Sequence, residues 1–353
     1  MPGGAGFFGG WRGLRRFWGL LLVSLMGTAA TLQMLGPPQP PPARVPEPAA
    51  RPEAPPAPEV VRQQAPPAAP VDRGKGPGRD VPGPVNDPDP ALLEPVAGSA
   101  TDVLPRIAAD GRQPMRVYAA GFDPTTTRPR VGVLIAGVGL NVAASRRAIA
   151  DLPGAVSLAV SPYTDNPEPL LASARLRGHE YLLSLPMEPL RFPLNDAGPN
   201  ALLTTLSPQQ NLPRLIWALS RLQGYAGATD ILGAMRGERL ADMPEQMAPI
   251  MAELSRRGLM YVAAPNQASP APSAWSKAVD LVIDDPATAA DIDARLAVLE
   301  AMARDHGAAL GLIETPSPVA VERLAAWASG LSNRGLALAP VSALMLPPED
   351  KPK

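Results

Sequence analysis

The alternation of short apolar runs with helix-like stretches, which begins at Val131, constrains the fold of this chain more than any other feature. The runs are almost continuously apolar, as expected for parallel strands that are buried on both faces. They cover Val131–Ala136, Ala155–Val160, Glu180–Leu185, Tyr225–Thr229, Leu259–Ala264, Val279–Ile283, Ala308–Ile313 and Leu336–Pro340. Helix starts are indicated between them, for example by Ser207-Pro208 and Asp285-Pro286, and glycines such as Gly224 mark helix ends. Eight strands and about seven helices predict an α/β fold, a distorted (β/α) TIM-like barrel over residues 130–346.

The carboxyl ends of the predicted strands are where such a barrel keeps its reactive groups, and here they hold few. They read Ala136-Gly137-Val138-Gly139, Ser184-Leu185-Pro186, Thr229-Asp230-Ile231, Ala263-Ala264-Pro265 and Glu314-Thr315-Pro316. The acids nearest to them are Glu188, Asp230 and Glu314, which are the candidate catalytic residues. They could bind sugar hydroxyls or an amine, or act as a carboxylate pair in acid–base chemistry. The alternative, which we favour, is that they cap helices and hydrogen-bond to loops.

The composition limits the function classes further. The chain of 353 residues has a net charge of −1, no cysteine and two histidines, His179 and His306. Nucleic-acid binding would need a basic face, so no nucleic-acid partner is expected. Each histidine lies beside a glycine at a predicted helix end, which indicates a structural role. The sequence predicts no cofactor and no bound metal.

The first 35 residues predict where the protein resides. Arg12, Arg15 and Arg16 precede the uncharged apolar stretch 17–35. Nineteen residues of helix span roughly 28 Å, close to the ~30 Å of a bilayer core. By the positive-inside rule, residues 1–16 would be cytoplasmic and the rest exported. We therefore expect a single-pass protein of the inner membrane with a periplasmic carboxyl-terminal domain, although a cleaved signal peptide remains open.

Two further segments separate this stretch from the barrel. Residues 36–98 are rich in proline and alanine and poor in large apolar side chains, so they predict a disordered, semi-stiff linker. Residues 99–129 regain Ile, Val, Tyr and Phe around an Asp110-Gly111 turn signal, and predict a hairpin or strap that packs on the barrel. Residues 347–353 are a short tail.

Several passages between Pro129 and Leu346 resemble the divergent polysaccharide deacetylases, a membrane-anchored branch of the NodB-like deacetylase superfamily. The passages that carry the resemblance are Val131 to Gly139, Leu183 to Pro189, Gly198 to Thr205, Gly224 to Gly227, Arg256 to Leu259 and Pro340 to Ser342. The most specific is the Leu185-Pro186-Met187-Glu188-Pro189 segment followed by Gly198-Pro199 and Leu202-Leu203-Thr204-Thr205. The resemblance implies a distorted barrel whose typical members remove N-acetyl groups from glycans with a divalent metal.

The chain departs from the family pattern at the positions where that resemblance implies metal binding. The expected Asp pair falls on Ala136 and Gly137, and one expected histidine falls on Ser184. Two more histidines and an Asp are replaced, at Ile231, Thr315 and Ala263. Alkyl side chains neither bind a cation nor accept a proton.

The sequence therefore predicts a membrane-anchored, exported, deacetylase-like protein that is not a metal-dependent enzyme. Its expected ligand is a cell-wall glycan or an envelope protein. Two alternatives stay open: an active glycan hydrolase or deacetylase with an altered, carboxylate-based site, and a scaffold for other envelope proteins.

Overall fold

The computed structural model describes Trp18 and residues 81–265 and 274–348. The predicted cytoplasmic tail, residues 36–80 of the predicted linker and, apart from Trp18, the predicted membrane anchor 17–35 lie outside the described residues. Residues 349–353 of the predicted tail do so as well. Within the described ranges no helix is both long enough and apolar enough to cross a bilayer.

The described chain is an alternation of strands and helices after a short amino-terminal segment. The strands are β1 (Leu93–Pro95), β2 (Val103–Pro105), β3 (Arg130–Val138), β4 (Ser157–Val160), β5 (Tyr181–Ser184), β6 (Gly227–Thr229), β7 (Ile231–Leu232), β8 (Met235–Arg236), β9 (Met260–Ala263), β10 (Ser276–Ala278), β11 (Leu281–Val282), β12 (Ala308–Ile313) and β13 (Ala337–Leu338). The helices are α1 (Pro114–Val117), α2 (Val142–Asp151), α3 (Glu168–Leu176), α4 (Pro208–Leu219), α5 (Glu238–Ala241), α6 (Pro244–Arg256), α7 (Ala289–His306) and α8 (Pro318–Ser329).

The main sheet is parallel and curls into a distorted barrel. Its strands follow the order β10-β9-β6-β5-β4-β3-β12-β11. The two ends of this order are neighbours in the chain, because only Val279 and Asp280 separate β10 from β11. The backbone amide of Val279 donates to the carbonyl oxygen of Ala263 in β9 at 3.0 Å. The backbone amide of Asp280 donates to the carbonyl oxygen of Leu310 in β12 at 2.8 Å. Residues 276–282 therefore join β9 to β12 and return the sheet to its start.

Each predicted strand is present, but the last one does not take an equal place in the barrel. β13 pairs only with Arg130 and Val131 of β3, alongside the pairing of β3 with β12. The segment between β9 and β12 instead contributes two short strands, of which only β11 coincides with the predicted Val279–Ile283. The barrel thus departs from eight equivalent strands, because residues 276–282 form two short strands, of which β10 pairs with β9 and β11 pairs with β12.

Side chains of the strands divide between two apolar clusters. The inner cluster fills the barrel and includes Leu134, Leu182 and Val262. The outer cluster lies between the sheet and the helices and includes Leu183 and Tyr261. Because successive side chains of a strand point to opposite faces, both faces of the sheet are apolar and buried. This explains why the strands appear in the sequence as unbroken apolar runs.

The amino-terminal segment closes the end of the barrel opposite to the carboxyl ends of the strands. Its residues Val85, Leu92, Met115 and Tyr118 are buried in the inner cluster. β1 and β2 pair antiparallel within it, so the hairpin lies at 93–105 and not around Asp110-Gly111, which forms a turn. Val85 and Leu92 are therefore buried, although they lie inside the stretch that the sequence predicts to be linker. We call residues 82–122 the strap.

Two buried arginines fasten the strap to the barrel. Arg257, 2% exposed, binds the carboxylate of Glu94 at 2.8 Å and the carbonyl oxygen of Pro105 at 2.6 Å. Arg175, 3% exposed, binds the carboxylate of Asp87 at 3.0 Å. Both arginines also bind groups of the barrel, but their bonds to Asp87, Glu94 and Pro105 form only when the strap is in place.

Candidate functional site

A hairpin formed by β7 and β8 packs against the end of β3, at the carboxyl-terminal mouth of the barrel. Its turn contains Gly233 (φ 62°), which meets Gly137 (φ 70°) of β3. A β-carbon on Gly137 would lie 3.4 Å from the α-carbon of Gly233 and 3.1 Å from the carbonyl oxygen of Glu314. Ile231 and Leu232 of the hairpin are buried. We call residues 231–236 the mouth hairpin.

The positions that the family pattern assigns to metal ligands lie in and around this packed mouth. Ala136 and Ile231 are fully buried in the inner cluster, and Ala263 is buried in the outer one. Thr315 donates its backbone amide to Asp284 at 3.1 Å. Ser184 is fully buried, and its hydroxyl has no hydrogen-bond partner among the described residues.

These residues do not fit a catalytic divalent metal. Such an ion needs several converging nitrogen, sulfur or carboxylate ligands. Within the described ranges no three His, Cys, Asp or Glu side chains come together in a way that could hold one. Moreover, the alkyl side chain of Ile231 is packed into the inner cluster, with no exposed surface left. No metal-dependent step is therefore derived for this chain.

Asp230, the first candidate acid, is bound at the edge between β6 and β9. Its Oδ1 accepts the amide of Ala264 at 2.8 Å, and its carbonyl oxygen accepts the amide of Gly237 at 2.9 Å. The side chain is 1% exposed. Burial and then the charge of Asp230 raise the pKa of Tyr261, which belongs to the outer cluster. Asp230 therefore belongs to the layer between sheet and helices, whereas its neighbour Ile231 enters the barrel.

Glu188, the second candidate, holds together the loop that follows β5. Its Oε2 accepts the amide of Thr204 at 2.6 Å and the Thr204 hydroxyl at 2.9 Å. Its Oε1 lies 3.1 Å from Nε of Arg239, and the side chain is 1% exposed. The oxygens of this buried carboxylate already bind three donors, which is an arrangement typical of a structural carboxylate.

Glu314, the third candidate, follows β12 and is less completely satisfied. Its Oε1 is buried and lies 3.4 Å from Nε of Arg236, which also pairs with Glu238 at 2.9 Å. Burial raises the pKa of Glu314, and the positive charge of Arg236 opposes that rise. Burial likewise raises the pKa of Asp284, whose two oxygens accept the amides of Glu314 and Thr315.

Asp230 and Glu188 are thus held by hydrogen bonds, and Glu314 by an ion pair with Arg236, which also pairs with Glu238. The arginines that bind two of them, Arg236 and Arg239, were not singled out by the sequence. Arg236 is the last residue of the mouth hairpin and Arg239 follows it closely, and the charges in Arg236-Gly237-Glu238-Arg239 could have indicated both. The geometry favours structural roles for these acids, and their catalytic role stays a prediction.

The histidines lie away from the mouth. His179 is fully buried just before β5, with Nδ1 2.8 Å from the carbonyl oxygen of Val156 and Nε2 3.2 Å from that of Ile149. Burial lowers the pKa of His179. His306 is the last residue of α7 and is exposed. Both positions agree with the structural role predicted for them.

A residue that the sequence analysis did not single out is the buried Glu180. Its Oε2 accepts the amide of Ala120 at 2.9 Å. Its Oε1 accepts the hydroxyl of Ser157 at 2.7 Å and the amide of Ser342 at 2.9 Å. One carboxylate therefore joins the strap, β4 and the carboxyl-terminal turn at the closed end of the barrel.

Comparisons with known proteins found one family model and solved structures that are similar to this chain. Residues 133–345 match the model of the divergent polysaccharide deacetylase family. The crystal structure of an uncharacterized protein from Agrobacterium tumefaciens C58 is 30% identical, with a TM-score of 0.64, and the match covers 69% of this chain and 99% of that one. A CE4 esterase of Streptococcus mutans is 14% identical, with a TM-score of 0.38, over 62% of this chain and 87% of that one. The search of curated proteins found no match.

Proposed function

The chain belongs to the divergent polysaccharide deacetylase family, and from this premise we propose that it is an exported envelope protein that binds glycan without metal-dependent deacetylation. It would be held at the inner membrane by residues 17–35 and would place its barrel in the periplasm. Residues 36–80 would then act as the spacer between membrane and barrel.

The observation that carries the loss of metal chemistry is the composition and packing of the mouth. Where the family pattern places ligands, the chain has Ala136, Gly137, Ile231, Ala263 and Thr315. The mouth hairpin also packs its backbone directly on Gly137. An activated water would need a metal, or a free base within reach of the substrate. The buried acids nearby bind arginines and backbone amides instead.

Metal content and deacetylase activity test this proposal together. The full-length protein, purified in detergent and equilibrated with zinc, should retain far less than one ion per chain. It should release no acetate from an N-acetylglucosamine oligomer under conditions in which a metal-dependent deacetylase does. Stoichiometric zinc with acetate turnover would contradict the proposal. Turnover without metal that is abolished by Glu314→Gln would instead favour the carboxylate-based alternative.

Glycan binding and localisation need separate measurements. Full-length protein should sediment with purified peptidoglycan, and an unrelated detergent-solubilised membrane protein serves as the control. In cells, the barrel should become accessible to protease only after the outer membrane is permeabilised, and the protein should resist carbonate extraction. Recovery of a mature chain that lacks residues 1–35 would contradict the anchor but not the export.

A further inference from the structure

A cleft on the outside of the barrel lies between the strap, the start of α3 and the loop after α4. Its volume is about 350 Å³, within the range of about 300–1,000 Å³ typical of small-molecule sites. Pro88, Pro167 and Leu222 supply apolar lining, and Glu168, Arg221 and Gln223 supply polar groups. None of these residues belongs to the mouth.

The walls of this cleft are held by one buried guanidinium. Arg175 binds the carboxylate of Asp87, next to Pro88 in the strap, and the carboxylate of Glu168 at the start of α3. It also donates to the hydroxyl of Tyr181 at 3.0 Å, and that hydroxyl donates to the carbonyl oxygen of Gln223 at 2.6 Å. Because all three walls share this network, the cleft is formed before any ligand binds, which lowers the ordering cost of binding.

Arg221, which lines the cleft, also contacts an aromatic pair. The guanidinium of Arg221 lies over the ring of Trp217 at 5.6 Å, and the rings of Trp217 and Tyr163 are 5.2 Å apart. The stacking favours one orientation of the Arg221 side chain, which is otherwise exposed at the rim of the cleft. The lining therefore combines the guanidinium donors of Arg221 with the carboxylate of Glu168, one oxygen of which is bound by Arg175.

We propose that this cleft binds an uncharged sugar unit of a glycan chain, so that glycan recognition takes place outside the sealed mouth; the inference rests on the proposed glycan-binding function. A pyranose ring presents C–H faces suited to the partly exposed Pro88 and Pro167, and hydroxyl or amide groups suited to both donors and acceptors. The cationic Arg221 and the anionic Glu168 together favour a ligand without net charge.

Titration of the full-length protein with N-acetylglucosamine tetramer, followed by calorimetry, tests this site. Arg221→Ala should weaken binding at least fivefold, and Gln223→Trp, which places a bulky ring at the lining, should abolish it. Arg146→Ala, at an exposed arginine of α2, is the matched control and should leave the affinity unchanged. Melting temperatures within two degrees of the unaltered protein would confirm that each variant is folded.

The possible failures distinguish this inference from the proposed function. If Arg221→Ala and Gln223→Trp both leave the affinity for the tetramer unchanged, the cleft is not the glycan site, although the protein still binds glycan. Binding to peptidoglycan without any binding of the tetramer would also overturn it. No binding to either glycan would overturn the inference together with the glycan-binding function.

Discussion

Gly137 and Gly233 meet at the mouth of the barrel without a side chain between them. Both have positive φ, and Gly137 lies where the parallel register between β3 and β4 is interrupted. The close approach explains how the hairpin can pack directly on the end of a central strand. It also makes the mouth sensitive to the addition of a single methyl group.

Gly137→Ala should therefore destabilise the protein by about 2–5 kcal/mol, from left-handed strain of about 1–2 kcal/mol and overpacking of about 1–3 kcal/mol. Gly111→Ala is the matched control. Gly111 has a φ of 85° but nothing within 4 Å of the added β-carbon, so only the strain should remain. Urea unfolding measures both changes. Equal losses would show that the close packing of Glu314 and Gly233 around Gly137 contributes nothing.

Glu180→Gln should lower the unfolding free energy by about 2–4 kcal/mol. Hydrogen bonds to a charged acceptor contribute about 1.5–3 kcal/mol each, and the NH2 group of the glutamine would face groups that are themselves hydrogen-bond donors. The carboxylate accepts from Ala120, Ser157 and Ser342. The exposed Glu322→Gln is the control and should change stability by less than about 0.5 kcal/mol. A similarly small loss at Glu180 would mean that the closed end of the barrel does not depend on this carboxylate.

The sequence predicted the strands well because burial on both faces leaves an unmistakable apolar run. It also predicted the start of α4, where Ser207 and Gln210 form the reciprocal cap that their spacing indicates. The start of α7 was wrong: the helix begins at Ala289 with Thr288 as its cap, and Asp285-Pro286 precedes it. Two cap signals three residues apart compete, and the choice between them depends on tertiary packing.

The mouth hairpin and the strap contacts could not be predicted in the same way. β7 and β8 have two residues each, too few for a periodic pattern. Whether Asp230 or Ile231 enters the barrel depends on where β6 ends, and a shift of one residue exchanges the two faces. Arg175 and Arg257 find their partners in the strap, far away in sequence, and such pairs leave no local signal. The residue types at the strand ends come directly from the sequence, and the loss of metal binding inferred from them stays a prediction.

Arg257→Ala should destabilise the protein by about 1–3 kcal/mol, because it leaves the buried carbonyl oxygen of Pro105 without its charged donor, while Glu253 keeps Arg256 and Glu94 is one-third exposed. Arg257 is 3% exposed in its side chain and binds Glu253, Glu94 and the carbonyl of Pro105. Hydrogen exchange of residues 93–105 should accelerate, since the strap loses its attachment there. Arg256→Ala removes a neighbouring arginine that pairs with the same Glu253 but is 58% exposed, and it should cost less than about 1 kcal/mol. Comparable losses in the two variants would contradict a specific role of Arg257 in holding the strap.

The raised pKa of Glu314 predicts a pH dependence of stability. A carboxyl whose folded pKa lies above its unfolded value of 4.5 binds more protons in the folded state, so its contribution to stability is lost as pH rises through that window. The unfolding free energy of the unaltered protein should therefore fall, relative to that of Glu314→Gln, as pH rises from 4.5 towards 7. The difference in unfolding free energy between the unaltered protein and Glu322→Gln should vary less with pH. If the unfolding free energy of the unaltered protein instead rises with pH relative to that of Glu314→Gln, the charge of Arg236 outweighs burial and the pKa of Glu314 is lowered.

Replacing Ile231 by histidine restores the residue type that the family pattern has there, and it should still produce no metal site. The side chain of Ile231 is fully buried among inner-cluster residues, so an imidazole would lose its hydration without a hydrogen-bond partner. Leaving a buried polar group unsatisfied costs about 1–3 kcal/mol, so we expect a loss of at least that size. Ile231→Val, which keeps the apolar contacts, should cost about 0.5–1.5 kcal/mol. Zinc content after equilibration and urea unfolding measure the two effects. Stoichiometric zinc in the histidine variant would show that a latent set of ligands survives at the mouth, and the proposed loss of metal chemistry would then rest on a single residue.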